Sequence, residues 1–165
     1  MRAYLGLGSN LGDRSRAITD ALAHLRGLGQ VLAVAPLYET EPWGLLEQPR
    51  FINSACLLEA NLGPLALLDA LKAIEGRMGR VPGPLNGPRP IDLDILLCVG
   101  LIVNLPRLHI PHAGLVDRAT ALVPLADIAP ECRHPLTGET VAVHLDALRP
   151  LHGIAPYPPG LADSI

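Results

Sequence analysis

Aromatic residues and lysine are scarce in this sequence. Phe, Trp and Tyr make up 3% of the 165 residues, and Lys72 is the single lysine beside twelve arginines. The net charge is −3. A protein that binds nucleic acid usually has a basic face, and a reader of single strands stacks bases on aromatic rings. Both scarcities therefore argue against nucleic acid as a partner.

Long apolar runs and clustered cysteines are also missing. Hydrophobic residues make up 49% of the sequence, but no run approaches the roughly 20 residues that a membrane helix needs. The chain reaches a glycine-rich stretch at Gly6 before the apolar region of a signal peptide could develop. We therefore expect no membrane contact and a cytoplasmic location. Cys56, Cys98 and Cys132 lie far apart, which favours reduced, buried thiols over disulfides or a metal cluster.

The length is typical of one domain, and we expect residues 1–165 to form it. Apolar residues recur at strand or helical spacing in six successive segments, which are bounded by glycine and proline. They predict a strand at 3–8, a helix around 18–28, strands at 31–38 and 51–58, a helix at 64–78 and a strand at 91–99. This βαββαβ order predicts a ferredoxin-like α+β core, an antiparallel sheet with helices packed on one face.

The pattern after Gly100 is weaker and predicts a C-terminal extension of the core. Short strands are expected at 101–103 and 108–110, and helices at 115–125 and 140–148. The tail at 150–165 contains Pro156, Pro158, Pro159 and Gly160, so we expect an extended segment that is either packed on the surface or disordered.

Two aspartates follow each other at strand spacing in the segment 90–97. Successive side chains of a strand point to opposite faces, so Asp92 and Asp94 share one face and Leu93 lies on the other. At an effective dielectric constant of about 20, two unpaired charges about 7 Å apart repel by roughly 2 kcal/mol. A divalent cation such as Mg²⁺ would relieve this repulsion and leave positions for phosphates. The alternative is a solvated strand face with two surface acids.

Positive charge precedes the aspartates. Arg77, Arg80 and Arg89 lie between Glu75 and Asp92, and no acid accompanies them. Arginine grips phosphate oxygens while metal ions neutralise the remaining charge, so this loop favours a triphosphate site. An ordinary exposed loop with solvated arginines is the alternative, and the adjacent aspartate pair favours the phosphate site.

Three other patterns are less specific. The glycines in 6–12 match neither a Walker loop nor a dinucleotide fingerprint, so spacing favours a tight strand-to-helix turn there. Pro111 lies between His109 and His112 and discourages a helix that could pair them on zinc. Trp43 and Phe51 flank a loop where a flat ligand could stack, although either could equally belong to the core.

Four separated motifs stand in one order along the chain: LGLGSNLG at 5–12, QPRFIN at 48–53, GPRPIDLD at 87–94, and IPH at 110–112 with Arg118 and the Pro-Leu pair at 124–125. Together they resemble the 6-hydroxymethyl-7,8-dihydropterin pyrophosphokinase family of folate biosynthesis over nearly the whole chain. The resemblance implies a ferredoxin-like fold and an ATP-dependent diphosphokinase that transfers pyrophosphate to the hydroxymethyl group of the reduced pterin and releases AMP. It also implies two magnesium ions.

The resemblance carries roles onto matching residues. The catalytic residues would be Asp92, Asp94, Arg80 and Arg89, and the two aspartates would hold both metal ions. ATP contacts would come from Lys72, Glu75, Arg80, Arg89, Ile95, His112 and Arg118. The pterin pocket would consist of Thr40, Pro42, Trp43, Phe51, Asn53 and Asp92, the last nearest the substrate hydroxyl.

The chain departs from the family pattern at five positions. Pro82 replaces a second loop arginine, and Leu85-Asn86 replaces an arginine-tryptophan pair, so the lid chemistry is thinner. Ala113 and Thr120 stand where the family places aromatic residues. Losing one stacking face is expected to weaken pterin binding by about 0.5–1.5 kcal/mol.

Two rival functions use the same residues: a nucleotidyltransferase built on the aspartate pair, and a binding module without catalysis. We expect small-molecule substrates and a monomer.

Overall fold

The computed structural model describes residues 1–158, and an antiparallel sheet of six strands is its central element. None of the helices in this part of the chain is long and apolar enough to cross a membrane. In chain order the elements are β1 (Arg2–Ser9), α1 (Arg14–Arg26), β2 (Gly29–Val34), β3 (Tyr38–Thr40), β4 (Phe51–Ala60), α2 (Pro64–Arg77), β5 (Asp92–Cys98), β6 (Val103–Leu105), β7 (Leu108–Ile110), α3 (Ala119–Ile128), α4 (Val141–Ala147) and β8 (Ile154–Pro156).

The strand order confirms the predicted ferredoxin-like α+β fold. The sheet runs β5-β1-β4-β3-β8, and β2 pairs with the second half of β4. Each of these pairs is antiparallel. The first βαβ unit and the second therefore interleave, and β1 and β4 lie at the centre of the sheet.

Helices cover both faces of the sheet, so the prediction of helices on one face was incomplete. Alternate residues of β1, Leu5 and Leu7, pack with α1 and α2 in the larger core. Tyr4 points the other way and packs against a second cluster that includes Leu122 of α3 and Val141 of α4. Because α3 and α4 cover only part of the second face, the rest of that face is available to a ligand.

Several predicted element boundaries were wrong, and the first of them is α1, which spans Arg14–Arg26 instead of about 18–28. The strand at 31–38 is broken into β2 and β3, since Pro36 has no N–H for the ladder. The first short strand lies at Val103–Leu105 instead of 101–103. The predicted helix at 115–125 begins only at Ala119, because turn hydrogen bonds occupy the preceding residues: Leu115 N–H donates to His112 C=O and Arg118 N–H donates to Leu115 C=O.

The predicted helix at 140–148 and the first part of the predicted tail lie within the described residues. Thr140 caps α4, and its hydroxyl accepts from the N–H of Val143 at 3.3 Å. Within the tail, β8 pairs with β3 and places Ile154 opposite Thr40. Residues 159–165 of the tail lie outside the described residues.

The three cysteines are free thiols, as predicted. Cys56 and Cys98 are buried and Cys132 is partly buried. Burial raises the pKa of Cys56 to about 12 and that of Cys98 to about 11. They are therefore protonated at neutral pH and unreactive.

Glu75 joins α2 to β5. Its side chain is only 4% exposed, and its Oε1 accepts from the N–H of Leu93 at 2.7 Å. The same oxygen lies 2.8 Å from Lys72 Nζ and 2.9 Å from Arg80 Nη1. A buried carboxylate is tolerated only when it is paired and hydrogen-bonded, and here the pairing fixes β5 against the helix.

We expect Glu75→Ala to lower the free energy of unfolding by about 2 kcal/mol, because it leaves a buried N–H and two cations without their shared acceptor. Partial exposure of Lys72 and Arg80 keeps the loss below that of a fully buried pair. Urea denaturation measures the change.

The matched control is Asp69→Ala on the same helix, which removes the exposed ion pair of Asp69 with Arg107. Exposed pairs contribute about 1 kcal/mol or less. If Glu75→Ala lowers the free energy of unfolding by no more than Asp69→Ala does, Glu75 does not anchor β5.

Candidate active site

Two glycines form the floor of a pocket on the second face of the sheet. In the β1–β5 ladder Gly6 lies opposite Asp94 and Gly8 lies opposite Asp92. A Cβ added at Gly8 would meet Oδ1 of Asn53, on β4, at 2.8 Å. Both glycines lie in β1, in agreement with the strand predicted at 3–8, and the turn that leads to α1 follows Ser9. Their spacing of two residues was the sequence signal for this floor, because it leaves one face of the strand without side chains.

Asp92 is held by two arginines at the edge of this floor. Its Oδ1 pairs with Arg80 Nη1, and its Oδ2 lies 2.5 Å from Arg89 Nη2. Burial alone would raise the pKa of Asp92, but the charges of Arg89 and Arg80 outweigh burial and hold that pKa below its usual value. Asp92 is thus ionised, and the arginine loop at residues 79–90 is anchored to β5 through it.

Asp94 has a different electrostatic environment. Its carboxylate lies 3.9 Å from Lys72 Nζ and 4.0 Å from His112 Nε2, beyond direct hydrogen bonds. Burial and the nearby charge of Asp92 raise the pKa of Asp94, although Lys72 and His112 oppose the shift. The charge of Asp94 is therefore the less neutralised of the two, and a cation bound here would stabilise it.

His112 enters the pocket from the chain that follows β7. Its backbone N–H donates to Leu96 C=O at 2.9 Å, and its Nδ1 accepts from the N–H of Gly114 at 3.1 Å. Burial lowers the pKa of His112, while Asp94 opposes this shift. A neutral ring whose Nδ1 accepts carries its proton on Nε2, which faces Asp94.

Arg118 stacks on Trp43 across the mouth of the pocket. The guanidinium carbon lies 4.3 Å from the ring centroid, and Trp43 is 50% exposed. Thr120 lines the same pocket, at the position where the sequence lacks an aromatic residue. Arginine stacks on aromatic faces, and Arg118 covers one face of Trp43 in this structure. Arg118 Nε is buried and has no hydrogen-bond partner within residues 1–158.

The other residues predicted for the pterin pocket mostly meet at one end of it. Asn53 donates to Thr40 Oγ1 at 2.7 Å, and both line the pocket. Phe51 is buried, and the Arg89 guanidinium lies 5.1 Å from its ring centroid. Pro42 lies in the loop that carries Trp43 but is not among the pocket-lining residues.

Two predicted ATP contacts are placed differently from the rest. Ile95 is 4% exposed and packs in the core shared with α1 and α2, so its side chain points away from the pocket. The Glu75 carboxylate already accepts from the Leu93 N–H and pairs with Lys72 and Arg80. Strand alternation explains Ile95, since Asp94 faces the pocket and the next residue faces the core. A contribution of Glu75 to nucleotide binding would therefore be made through Lys72 and Arg80, the two cations that it holds.

The aspartate pair fits magnesium in its donor chemistry. Hard cations prefer carboxylate oxygens, and Mg²⁺ is commonly held by one or two carboxylates together with substrate phosphates. Within residues 1–158, no group of three or more His, Cys, Asp or Glu side chains could hold a metal ion. Further ligands would therefore have to come from water and phosphate, which suits an ion that arrives with a nucleotide.

Comparison with known proteins identifies the family. The family model of 7,8-dihydro-6-hydroxymethylpterin-pyrophosphokinase matches residues 4–130. A 2-amino-4-hydroxy-6-hydroxymethyldihydropteridine pyrophosphokinase of Pseudomonas aeruginosa is 48% identical over 136 residues, 81% of this chain and 84% of that protein. The protein of the same name in Methylorubrum extorquens is 42% identical over 151 residues, 90% of this chain and 94% of that protein.

Longer proteins share the same region. The chain is 43% identical to the folic acid synthesis protein fol1 of Schizosaccharomyces pombe over 157 residues, 94% of this chain but 21% of that protein. A crystal structure of Plasmodium falciparum HPPK-DHPS with pteroate superposes with a TM-score of 0.72 at 19% identity, over 88% of this chain and 42% of that one. This superposition supports the fold, and the sequence matches show that the chain belongs to the 7,8-dihydro-6-hydroxymethylpterin-pyrophosphokinase family.

Proposed function

We propose that this chain transfers pyrophosphate from ATP to the hydroxymethyl group of 6-hydroxymethyl-7,8-dihydropterin, a step of folate biosynthesis. One observation carries the proposal: the aspartates of β5 lie between the arginine loop and a cleft lined by Trp43, Phe51 and Asn53. A polyanion and a flat heterocycle can therefore meet at Asp92. Membership of the pyrophosphokinase family supports the same reaction.

The pterin end of the pocket suits a flat, hydrogen-bonding ligand. Phe51 offers a ring face below Arg89, and Trp43 offers a second, which Arg118 covers in this structure. The Asn53 amide and the Thr40 hydroxyl can pair with the polar edge of the bicyclic ring. These groups would direct the hydroxymethyl arm toward Asp92.

The other end suits a triphosphate. Arg80 and Arg89 approach Asp92 from the arginine loop, and His112, Arg118 and Lys72 line the same open groove. Arginine forks match phosphate oxygens in geometry as well as charge. Because Arg80 and Arg89 pair with Asp92 in the ligand-free chain, the arriving phosphates would take over these guanidinium groups.

We infer that two magnesium ions bind with ATP at Asp92 and Asp94. When bound, such ions neutralise phosphate oxygens and align the two reacting oxygens. The raised pKa of Asp94 supports the inference, since it shows that the surrounding groups do not fully offset the negative charge of this carboxylate. Asp92 would then bind an ion in place of Arg80 and Arg89, which would be free to bind the phosphates.

The chain's own residues supply the remaining catalysis. The pterin hydroxyl attacks the β-phosphorus of ATP in line; the bond from this phosphorus to the α,β-bridging oxygen breaks, AMP leaves with that oxygen, and the hydroxyl proton passes to water. Arg80 and Arg89 stabilise the charge on the transferred group, while the pterin pocket orients the hydroxyl. Closure of the loop at residues 79–90 would exclude water, and Leu85 is 89% exposed and available to pack on closure. Positioning and charge neutralisation carry most of phosphoryl transfer, so a strong base is unnecessary.

Phosphorus NMR of the protein with Mg²⁺, ATP and the reduced pterin tests the function directly. The proposed reaction yields AMP and a pterin diphosphate. Release of pyrophosphate with transfer of AMP would identify a nucleotidyltransferase, and unchanged ATP would identify a binding module; either result contradicts the proposal.

We further propose that residues 1–165 form one catalytic domain that works as a monomer, because one chain supplies both ends of the pocket. Light scattering of the protein as it elutes from a size-exclusion column measures its mass, and the mass of a dimer would contradict the proposed monomer.

The cytoplasmic location stays a prediction; a relative from Pisum sativum is named a mitochondrial folate synthesis bifunctional protein.

We expect Asp94→Asn to lower the turnover number by about a thousandfold, because a neutral amide cannot stabilise bound metal ions and phosphate charge. Its stability at pH 7 should stay equal or rise. The raised pKa means that the ionised carboxylate costs free energy in the folded state above the unfolded pKa, and the amide removes that cost.

Steady-state kinetics and urea denaturation measure the two effects of Asp94→Asn. Asp20→Asn, an exposed acid on α1, is the control and should change neither. Turnover near that of the unsubstituted protein would remove Asp94 from the mechanism.

We expect Gly8→Ala to raise the KM for the pterin by about tenfold, the value of one lost hydrogen bond, with a smaller change for ATP. The added Cβ would lie 2.8 Å from Asn53 Oδ1 and displace the amide. Gly63→Ala is the control, since its Cβ would meet nothing within 4 Å. Equal pterin KM values in the two variants would show that Gly8 does not shape the pocket.

A further inference from the structure

Asn10 is a buried polar residue that contacts two separate loops. It lies just after β1 and is 2% exposed. Its backbone N–H donates to Arg89 C=O at 3.2 Å, and its Oδ1 accepts from the N–H of Arg89 at 2.8 Å. Its Nδ2 donates to Gln48 Oε1 at 2.9 Å and to Pro49 C=O at 3.0 Å. Every polar atom of the side chain is therefore paired with a loop residue.

Gln48 extends this contact. Its Nε2 donates to Leu45 C=O at 2.6 Å, within its own loop, and to Asn86 C=O at 2.7 Å, in the arginine loop. The loops also approach closely nearby, because a Cβ added at Gly44 would lie 2.8 Å from Asn86 Nδ2. Asn86 has a φ of +57°, a conformation that such contacts hold in place.

The network sets the position of Arg89. Asn10 holds the backbone of this residue on both its N–H and its C=O sides. From that fixed point the side chain reaches Gly87 C=O at 2.7 Å and Asp92 Oδ2 at 2.5 Å, with its guanidinium over Phe51. A shift of either loop would therefore move the group that lies between the two halves of the pocket.

We propose that Asn10 and Gln48 are positioning residues for the transfer reaction. They tie the pterin loop, residues 41–50, to the arginine loop, residues 79–90, so that Arg89 faces Phe51 and Asp92 at the same time. This role rests on the proposed function for its kinetic consequence, while the mechanical link between the loops is independent of it. Neither residue contacts the reacting atoms.

The test uses Gln48→Met, which keeps the length of the side chain and removes its three hydrogen bonds. Gln48 is partly exposed, so the variant should fold; Asn10→Ala is a second variant at the buried end. Gln30→Met, an exposed residue of β2, is the matched control. Amide hydrogen exchange is measured across both loops, and the single-turnover rate is measured with saturating Mg²⁺, ATP and pterin.

We expect Gln48→Met to accelerate exchange in residues 79–90 as well as in residues 41–50, and to lower the single-turnover rate by about tenfold. The KM for ATP should change less than the rate, since the phosphate-binding side chains remain. A general loss of stability would instead raise exchange across the whole sheet.

Faster exchange confined to residues 41–50, or no change in either loop, would overturn the link. Coupled exchange with an unchanged single-turnover rate would overturn the positioning role. An inactive unsubstituted protein would overturn the proposed function and the kinetic role together, and the exchange result would still decide whether the loops are linked.

Discussion

The site depends on two carboxylates that β5 holds on one face in a partly buried pocket. Their mutual repulsion must be offset, and the ligand-free chain offsets it by placing Arg80 and Arg89 on Asp92. Among the described residues, the contacts of Asp94 with basic side chains are longer, at 3.9 Å to Lys72 Nζ and 4.0 Å to His112 Nε2. Under the proposed function, this imbalance would favour binding of divalent cations beside Asp94, and the arginines paired with Asp92 would lie where the phosphates bind.

Much of the fold and the aspartate half of the site could be predicted from local rules. The period of two in 91–95 placed Asp92 and Asp94 on one face, and the structure agrees. The order of helical and strand segments gave the ferredoxin-like sheet, because each segment has a clear apolar period. The break at Pro36 and the late start of α3 were missed, since both depend on single hydrogen bonds that periodicity does not report.

The rest of the site depends on contacts between residues far apart in sequence. Gly6 and Gly8 form the floor of the pocket only because β4 and β5 lie beside them, and the sequence alone does not give the register of these strands. The stacking of Arg118 on Trp43 joins two loops 75 positions apart. Nothing in the sequence assigned a role to the Asn10 side chain, because its hydrogen bonds form only where its own loop meets the pterin loop and the arginine loop. Such sites are assembled by tertiary structure and not by motif.

Metal binding tests the central claim most directly. Electron paramagnetic resonance can follow Mn²⁺, a substitute for Mg²⁺, as it is titrated into the protein with the unreactive analogue α,β-methylene ATP. The account predicts that the unsubstituted protein and analogue bind Mn²⁺ more tightly than the analogue alone, and that a variant with Asp92→Asn and Asp94→Asn loses this gain. Equal Mn²⁺ affinity in the two proteins would contradict it.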